Sequence, residues 1–71
     1  MTNREFITEK LNKGKTIWRF TKSAAISYTK TNNGVWCVKH YGMDECRDET
    51  ISMRTAIDRL VRNFKQIDRI S

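Results

Sequence analysis

Apolar residues recur at helical spacing at the N-terminal end of the chain. Three of them share one helical face: Phe6, Ile7 and Leu11. Thr2 and Glu5 stand just before this stripe at the spacing of a capping box, in which each side chain accepts a hydrogen bond from a free amide of the first turn. Gly14 can end the helix in the left-handed conformation. The pattern predicts a first helix over residues 3–13.

The most regular apolar pattern lies in the C-terminal third. Its members repeat every three or four residues: Met53, Ala56, Ile57, Leu60, Val61, Phe64 and Ile67. Ser52 can cap a helix here, and Ile51 stands where a hydrophobic staple would hold the helix start. The spacing predicts a helix over residues 53–69. Its other side is basic, relieved by two aspartates: Arg54, Asp58, Arg59, Arg62, Lys65, Asp68 and Arg69.

Polar and apolar residues alternate between these two helices, which indicates strands. Residues 15–21 place Trp18 and Phe20 on one side and a mixed set on the other: Lys15, Ile17 and Arg19. A tight turn then leads to a second strand over residues 24–31, and a third follows over residues 35–41.

The loop between the second and third strands decides which side chains share a sheet face. A two-residue Asn33-Gly34 loop would put Ile26 and Tyr28 beside the odd-numbered residues of the third strand. A three-residue loop with a bulge at Gly34 would instead gather four apolar residues: Ile26, Tyr28, Trp36 and Val38. Burial of a large apolar side chain contributes roughly 1.5–3 kcal/mol, which favours the bulged loop. The opposite face would then carry Ser27, Thr29, Thr31, Val35, Cys37, Lys39 and Tyr41.

These elements predict an α+β fold: a helix, a three-stranded antiparallel meander, and a C-terminal amphipathic helix packed on one sheet face (α-β-β-β-α). The chain has no proline and shows no repeat or low-complexity stretch, so residues 1–71 are interpreted as one small domain. A domain of this size has little material for both a core and a buried active site.

Charge is the strongest functional signal. Fourteen Lys and Arg against eight Asp and Glu give a net charge of +6, which suits nucleic acid or another polyanion, although a solvated basic surface is the alternative interpretation. Residues 43–49 are predicted to form an acidic loop, which would confine nucleic acid to the rest of the surface.

The segment VWCVKHYGMDEC, residues 35–46, contains a possible set of four zinc ligands: Cys37, His40, Asp44 and Cys46. Residues three apart on a strand point to opposite faces, so Cys37 and His40 cannot share a metal. For the same reason His40 cannot reach Cys37 to act as its general base. We therefore expect no metal site, no cofactor and no enzymatic activity.

Two further expectations concern the compartment. The chain lacks a membrane-length apolar stretch and a secretory h-region, which predicts a cytoplasmic protein without a membrane partner. Two cysteines in such a compartment are expected as free thiols.

The order helix, three antiparallel strands, helix in a small basic chain resembles the double-stranded RNA-binding domain. Lys22 and Arg54 stand where that family has its RNA-reading loop and the lysine cluster of its last helix. A three-stranded sheet followed by a helix also looks like the arm-binding domains of phage-type integrases, which place a sheet in the DNA groove. Both resemblances imply nucleic-acid binding.

We predict a non-enzymatic nucleic-acid-binding module, with RNA slightly favoured over DNA. Two surfaces could contact phosphates: the sheet face with Lys15, Arg19, Lys39 and Tyr41, and the last helix with Arg54 and Arg62. The alternative is a small phage-type accessory or inhibitor protein that binds a host protein or ribonucleoprotein. Its contact patch would include exposed Ile17, Val35 and Tyr41.

Overall fold

The computed structural model describes residues 1–42 and 44–71 and contains five strands and two α-helices. The elements follow in chain order: α1 Asn3–Asn12, β1 Thr16–Phe20, β2 Ala25–Thr31, β3 Gly34–His40, β4 Cys46–Ile51, α2 Met53–Arg62, a 3-10 turn Phe64–Gln66, and β5 Ile67–Ile70. The strands form one sheet in the order β4-β3-β2-β1-β5. All neighbouring strands are antiparallel.

Helix α1 begins with the predicted capping box. The Thr2 hydroxyl accepts the Glu5 amide proton at 3.1 Å, and the Glu5 carboxylate accepts the Thr2 amide proton at 3.1 Å. These hydrogen bonds lower the pKa of the Glu5 carboxyl. Gly14 has a φ of +79° just beyond the helix end, as expected for a glycine that reverses the chain there.

Helix α2 begins where predicted but ends earlier. The Ser52 hydroxyl caps it by accepting the Thr55 amide proton at 3.1 Å. The prediction of a helix to residue 69 is wrong, because Ile67–Ile70 is strand β5, paired with β1. This pairing satisfies the outer edge of β1 while Ile67 and Ile70 still pack against the core. Neither α1 nor α2 is long enough to cross a membrane.

Residues 46–49 of the predicted acidic loop belong instead to strand β4. Its residues Cys46–Ile51 pair with β3 along their whole length, and residue 43 lies outside the described residues. The α+β class and the β1-β2-β3 meander are confirmed, but β4 and β5 enlarge the sheet to five strands. The predicted α-β-β-β-α order, on which the family resemblances rested, is therefore incomplete.

Both helices pack on the same side of the sheet, here called the helix face. The core cluster lies between the two helices and the sheet. It comprises Ile7, Leu11, Ile17, Ile26, Tyr28, Val35, Cys37, Ala56, Ile57 and Leu60. Ile17 and Val35, predicted to be exposed, are 0% exposed. The row formed by Ile17, Tyr28 and Cys37 across three strands supplies a continuous apolar floor on which the helices pack.

The predicted bulged loop is wrong, because Thr31 pairs with Gly34 around a two-residue Asn32-Asn33 loop. Ile26 and Tyr28 consequently share a face with odd-numbered residues of β3. Trp36 points to the other side, called the open face. The cross-strand rows of the open face comprise Arg69, Trp18, Ser27, Val38 and Asp48; Thr16, Thr29, Trp36 and Thr50; and Phe20, Ala25, His40 and Cys46.

Gly34 is required by a close approach rather than by a bulge. Its φ is +139°, and a side chain there would collide with the Ile51 carbonyl oxygen at the junction of β4 and α2. A glycine is needed because it alone tolerates both constraints.

Candidate nucleic-acid interface

Helix α2 covers only part of the helix face, and the uncovered part forms a cleft. Because α2 ends at Arg62, the ends of β1, β2, β3 and β4 remain open beside it. The cavity has a volume of about 360 Å³. The side chains that give it chemical character are Arg19, Lys39, Tyr41, Arg47, Glu49 and Arg59.

The cleft floor contains a cross-strand row of positive charge. Arg19, Ile26, Lys39 and Arg47 are successive partners across β1, β2, β3 and β4. Lys39 and Arg47 therefore face each other directly, an arrangement that destabilises a sheet when both charges are alike. Within the described chain, neither residue forms an ion pair. The fold thus tolerates two uncompensated cations side by side.

Tyr41 follows β3, and its ring lies near both of these cations. The Lys39 ammonium lies 5.4 Å from the centre of the Tyr41 ring, and the Arg47 guanidinium lies 5.9 Å from it. Both distances permit cation–π attraction, which offsets part of the repulsion. The ring is 40% exposed and remains accessible to a ligand.

One carboxylate, that of Glu49, lies in the cleft and is already paired with an arginine. Glu49 accepts a hydrogen bond from the Arg59 guanidinium at 3.1 Å. Asp48 borders the cavity, but its carboxylate accepts the Trp36 indole proton at 2.9 Å on the open face. Four cationic side chains are therefore balanced by one carboxylate, and the cleft carries a net positive charge.

Arg19 supplies a donor that the protein leaves unused. Its Nη1 donates to the Gln66 side chain at 2.7 Å, which fixes the guanidinium at the end of β1. Its Nε is buried and lacks a hydrogen-bond partner among the described residues. A buried donor of this kind costs free energy unless a ligand or water satisfies it.

The deeper lining of the cleft is uncharged at neutral pH. Tyr28 and Cys37 both line it, and burial raises the pKa of the Tyr28 hydroxyl and of the Cys37 thiol. Both groups therefore stay protonated, so neither cancels the surrounding positive charge.

The structure brings together three of the six predicted site residues. Arg19, Lys39 and Tyr41 line the cleft, although on the helix face rather than on an uncovered sheet face. Lys15, by contrast, is exposed in the turn after α1, and Arg54 and Arg62 are exposed on α2. None of these three lines the cleft.

Sequence analysis missed Arg47 and assigned Arg59 only to the basic side of the last helix. Arg47 was placed in a loop because four acidic residues surround it. Its alternation with Glu49 and Ile51 was the available signal, since these three side chains share the helix face of β4.

The sequence spacing of Cys37 and His40 does not produce a joint site. Cys37 is buried on the helix face, whereas the His40 ring stacks on Trp18 on the open face, with centroids 5.6 Å apart. The predicted contact patch for a host protein also changes, because Ile17 and Val35 lie in the core.

Comparisons of the chain with protein-family models, with curated proteins and with solved structures found no match. Evidence for a function consequently comes from the cleft itself.

Proposed function

We propose that this protein is a non-enzymatic nucleic-acid-binding module that contacts phosphates through the cleft. The observation that carries the proposal is the row of Arg19, Lys39 and Arg47 on one face of the sheet, joined by Arg59. Unpaired like charges that face each other lower the stability of the free protein. A phosphate placed between them would convert this repulsion into attraction.

Arginine geometry supports phosphate as the ligand group. The guanidinium offers several N–H donors in a planar fork that matches two oxygens of a phosphate. Tyr41 adds an exposed ring on which a base or sugar next to the phosphate can rest.

The size of the cleft favours an unpaired strand over a duplex. Its volume of about 360 Å³ is at the lower end of the range for pockets that hold small ligands. Such a cavity admits one phosphate with part of its nucleoside, which a flexible single strand can present. RNA is favoured over DNA because proteins recognise RNA mainly at unpaired loops, bulges and ends.

Fluorescence anisotropy with labelled single-stranded RNA, duplex RNA and duplex DNA tests this function. The informative variant is Lys39→Gln with Arg47→Gln, which removes both opposed cations and leaves the ring of Tyr41. We expect roughly tenfold or greater loss of affinity for single-stranded RNA, because two phosphate contacts are lost. Duplex probes should bind more weakly than the single strand to the unmodified protein.

The matched control is Lys30→Gln with Lys65→Gln, which removes two exposed lysines that form no ion pair among the described residues and lie outside the cleft. Its affinity should stay within about twofold of the parent if phosphate contacts are local. Equal loss in both variants would show that overall charge, rather than the cleft, holds the RNA. Absence of binding to all three probes at low salt would reject the proposed function.

A further inference from the structure

The open face is a second surface that the cleft does not explain. Trp36 and Phe20 are 44% and 42% exposed there, although large aromatic side chains are usually covered. The central row of this face ends in one charge at each side, with Arg69 on β5 and Asp48 on β4. No helix of the described chain packs against it.

The size of the side chains on the open face differs from strand to strand. Strand β2 is the third of five strands, and its side chains on this face are small: Ala25, Ser27 and Thr29. The flanking strands carry the large side chains: Trp18 and Phe20 on β1, Trp36 and His40 on β3. Trp18 and His40 reach toward each other across β2, with ring centroids 5.6 Å apart, so the face is an aromatic layer beneath which Ser27 is 7% exposed.

We propose that the open face binds a second copy of this chain, with the two sheets packed face to face about a two-fold axis along β2. Aligned packing of two sheets is a common way to cover such a face. The axis places β2 against its own copy, β1 against β3, and β5 against β4. This inference does not depend on the proposed nucleic-acid function.

The symmetry decides which rows of the two open faces meet. Trp18 and Val38 occupy the same row on β1 and β3, so each Trp18 faces the position of Val38 in the second copy. Thr16 and Trp36 share the next row, so each Trp36, which is 44% exposed, faces the smaller Thr16 of the second copy. The Trp18–His40 stacks of the two copies meet each other over β2.

Charge is complementary under the same symmetry. The row that contains Arg69 and Asp48 passes through Ser27 on the axis, so Arg69 of each copy faces Asp48 of the other. Within one copy these residues lie four strand spacings apart, or about 19 Å, which is too far for an ion pair. A two-fold axis perpendicular to the strands would instead place Asp48 against Asp48 and Arg69 against Arg69.

The area suits a reversible dimer. Five strands at about 4.8 Å spacing and a rise of about 3.3 Å per residue give the face an extent of roughly 20 by 20 Å. Two copies would bury on the order of 1,000 Å² in total, at the lower end of specific interfaces. Both clefts lie on the helix faces and would remain open on the outside of the dimer.

Analytical ultracentrifugation over a micromolar concentration series tests the dimer. The parent protein should dimerise, while Arg69→Glu and Asp48→Arg alone should each weaken the dimer roughly tenfold or more through like-charge contact. The double variant Asp48→Arg with Arg69→Glu should regain the dimer, because the exchanged charges again face each other. Arg54→Glu, an equal charge change on α2, should leave the dimer unchanged.

Thr29 gives a second test that does not involve Asp48 or its bond to Trp36. Because Thr29 faces itself across the axis, Thr29→Glu and Thr29→Lys should each be monomeric, and an equimolar mixture of the two should form a heterodimer. Circular dichroism verifies that each variant is folded.

Either of two results would overturn the proposal. One is a parent protein that stays monomeric throughout the series, which would leave the face to another partner. The other is a dimer that the folded single variants do not weaken, or that neither the charge exchange nor the Thr29 mixture restores.

Discussion

Cys37 and His40 lie three residues apart on β3 and face opposite sides of the sheet. Cys37 is 7% exposed beneath α2, and His40 stacks on Trp18 at a centroid distance of 5.6 Å. The strand alternation that sequence analysis invoked against a shared metal or catalytic pair is therefore present in the structure. The two cysteines consequently belong to different environments, since Cys46 is exposed.

This difference predicts unequal thiol reactivity. Cys46 should react with a small thiol reagent at the rate of an exposed cysteine, while Cys37 should react slower by roughly tenfold or more, because it is 7% exposed and burial raises the pKa of its thiol, which lowers the reactive thiolate fraction. Peptide mapping by mass spectrometry after timed labelling measures both rates in one sample. Equal rates in the native protein would contradict the buried position of Cys37.

Alkaline pH should destabilise the fold. Burial raises the pKa of Tyr28 and of Cys37 above their ordinary values of 10.0 and 9.0, so the unfolded chain releases these protons at lower pH than the folded one. Their contribution to stability is fully present below pH 9 and is lost as pH rises through the folded-state pKa values. Urea unfolding at a series of pH values should show this decline.

Tyr28→Phe isolates the contribution of the phenol. This variant should lose less free energy of unfolding than the parent between pH 9 and higher pH, because it has one fewer group to ionise. A decline of identical steepness in both proteins would mean that Tyr28 titrates alike in the folded and unfolded states.

Gly34→Ala should be one of the most destabilising single-methyl changes. The new methyl group would meet the Ile51 carbonyl at a residue whose φ is +139°, so we expect a loss of about 2 kcal/mol or more in urea unfolding. Gly42→Ala is the control, because nothing lies within 4 Å of a methyl group there. A similar small effect at both positions would argue against the close approach of β3 to the β4–α2 junction.

The end of the chain offers a test of strand β5. Ile70 pairs with Ile17 and packs against the core, so Ile70→Ala should lower the free energy of unfolding by about 1–2 kcal/mol. Asp68→Ala, at an exposed position in the same strand, should change it by less than about 0.5 kcal/mol. Comparable values for the two variants would indicate that β5 does not dock.

Local signals predicted the helix starts well. The capping box of Thr2 and Glu5 and the cap at Ser52 depend on neighbours within three residues, so the sequence contains all the required information. The end of α2 was harder to predict, because Ile67 fits both the helical stripe and a short strand. Whether Ile67 continues the helix or enters a strand depends on pairing with the free edge of β1, a tertiary contact that periodicity does not describe.

The faces of β1 and β3 were predicted the wrong way round, because large aromatic residues were expected to be buried, whereas Ile26 and Tyr28 of β2 are buried as predicted. Trp36 has more apolar surface than Val35, yet Val35 lies in the core and Trp36 on the open face. Burial of a whole face is decided by the row that the helices can approach closely, here the one with Ile17 and Tyr28. The one-residue difference in register between β2 and β3 reversed every side chain of β3 at once.

The cleft could be predicted only in part. Lys39 and Tyr41 share a face by the alternation of side chains along β3, and Arg19 joins them through the pairing of β1 with β2 and of β2 with β3. Arg47 joins them through the pairing of β3 with β4. The sequence did not indicate this pairing, because the acidic composition of residues 44–49 suggested a loop rather than a strand.

The most direct measurement of the central claim is the salt dependence of single-stranded RNA binding. We predict that the logarithm of the association constant falls linearly with the logarithm of salt concentration. Its slope should become shallower by about 1.4 in Lys39→Gln with Arg47→Gln, because each lost phosphate contact accounts for about 0.7. The Lys30→Gln with Lys65→Gln control should keep the parent slope. Equal slopes in the parent and the cleft variant would contradict phosphate binding in the cleft.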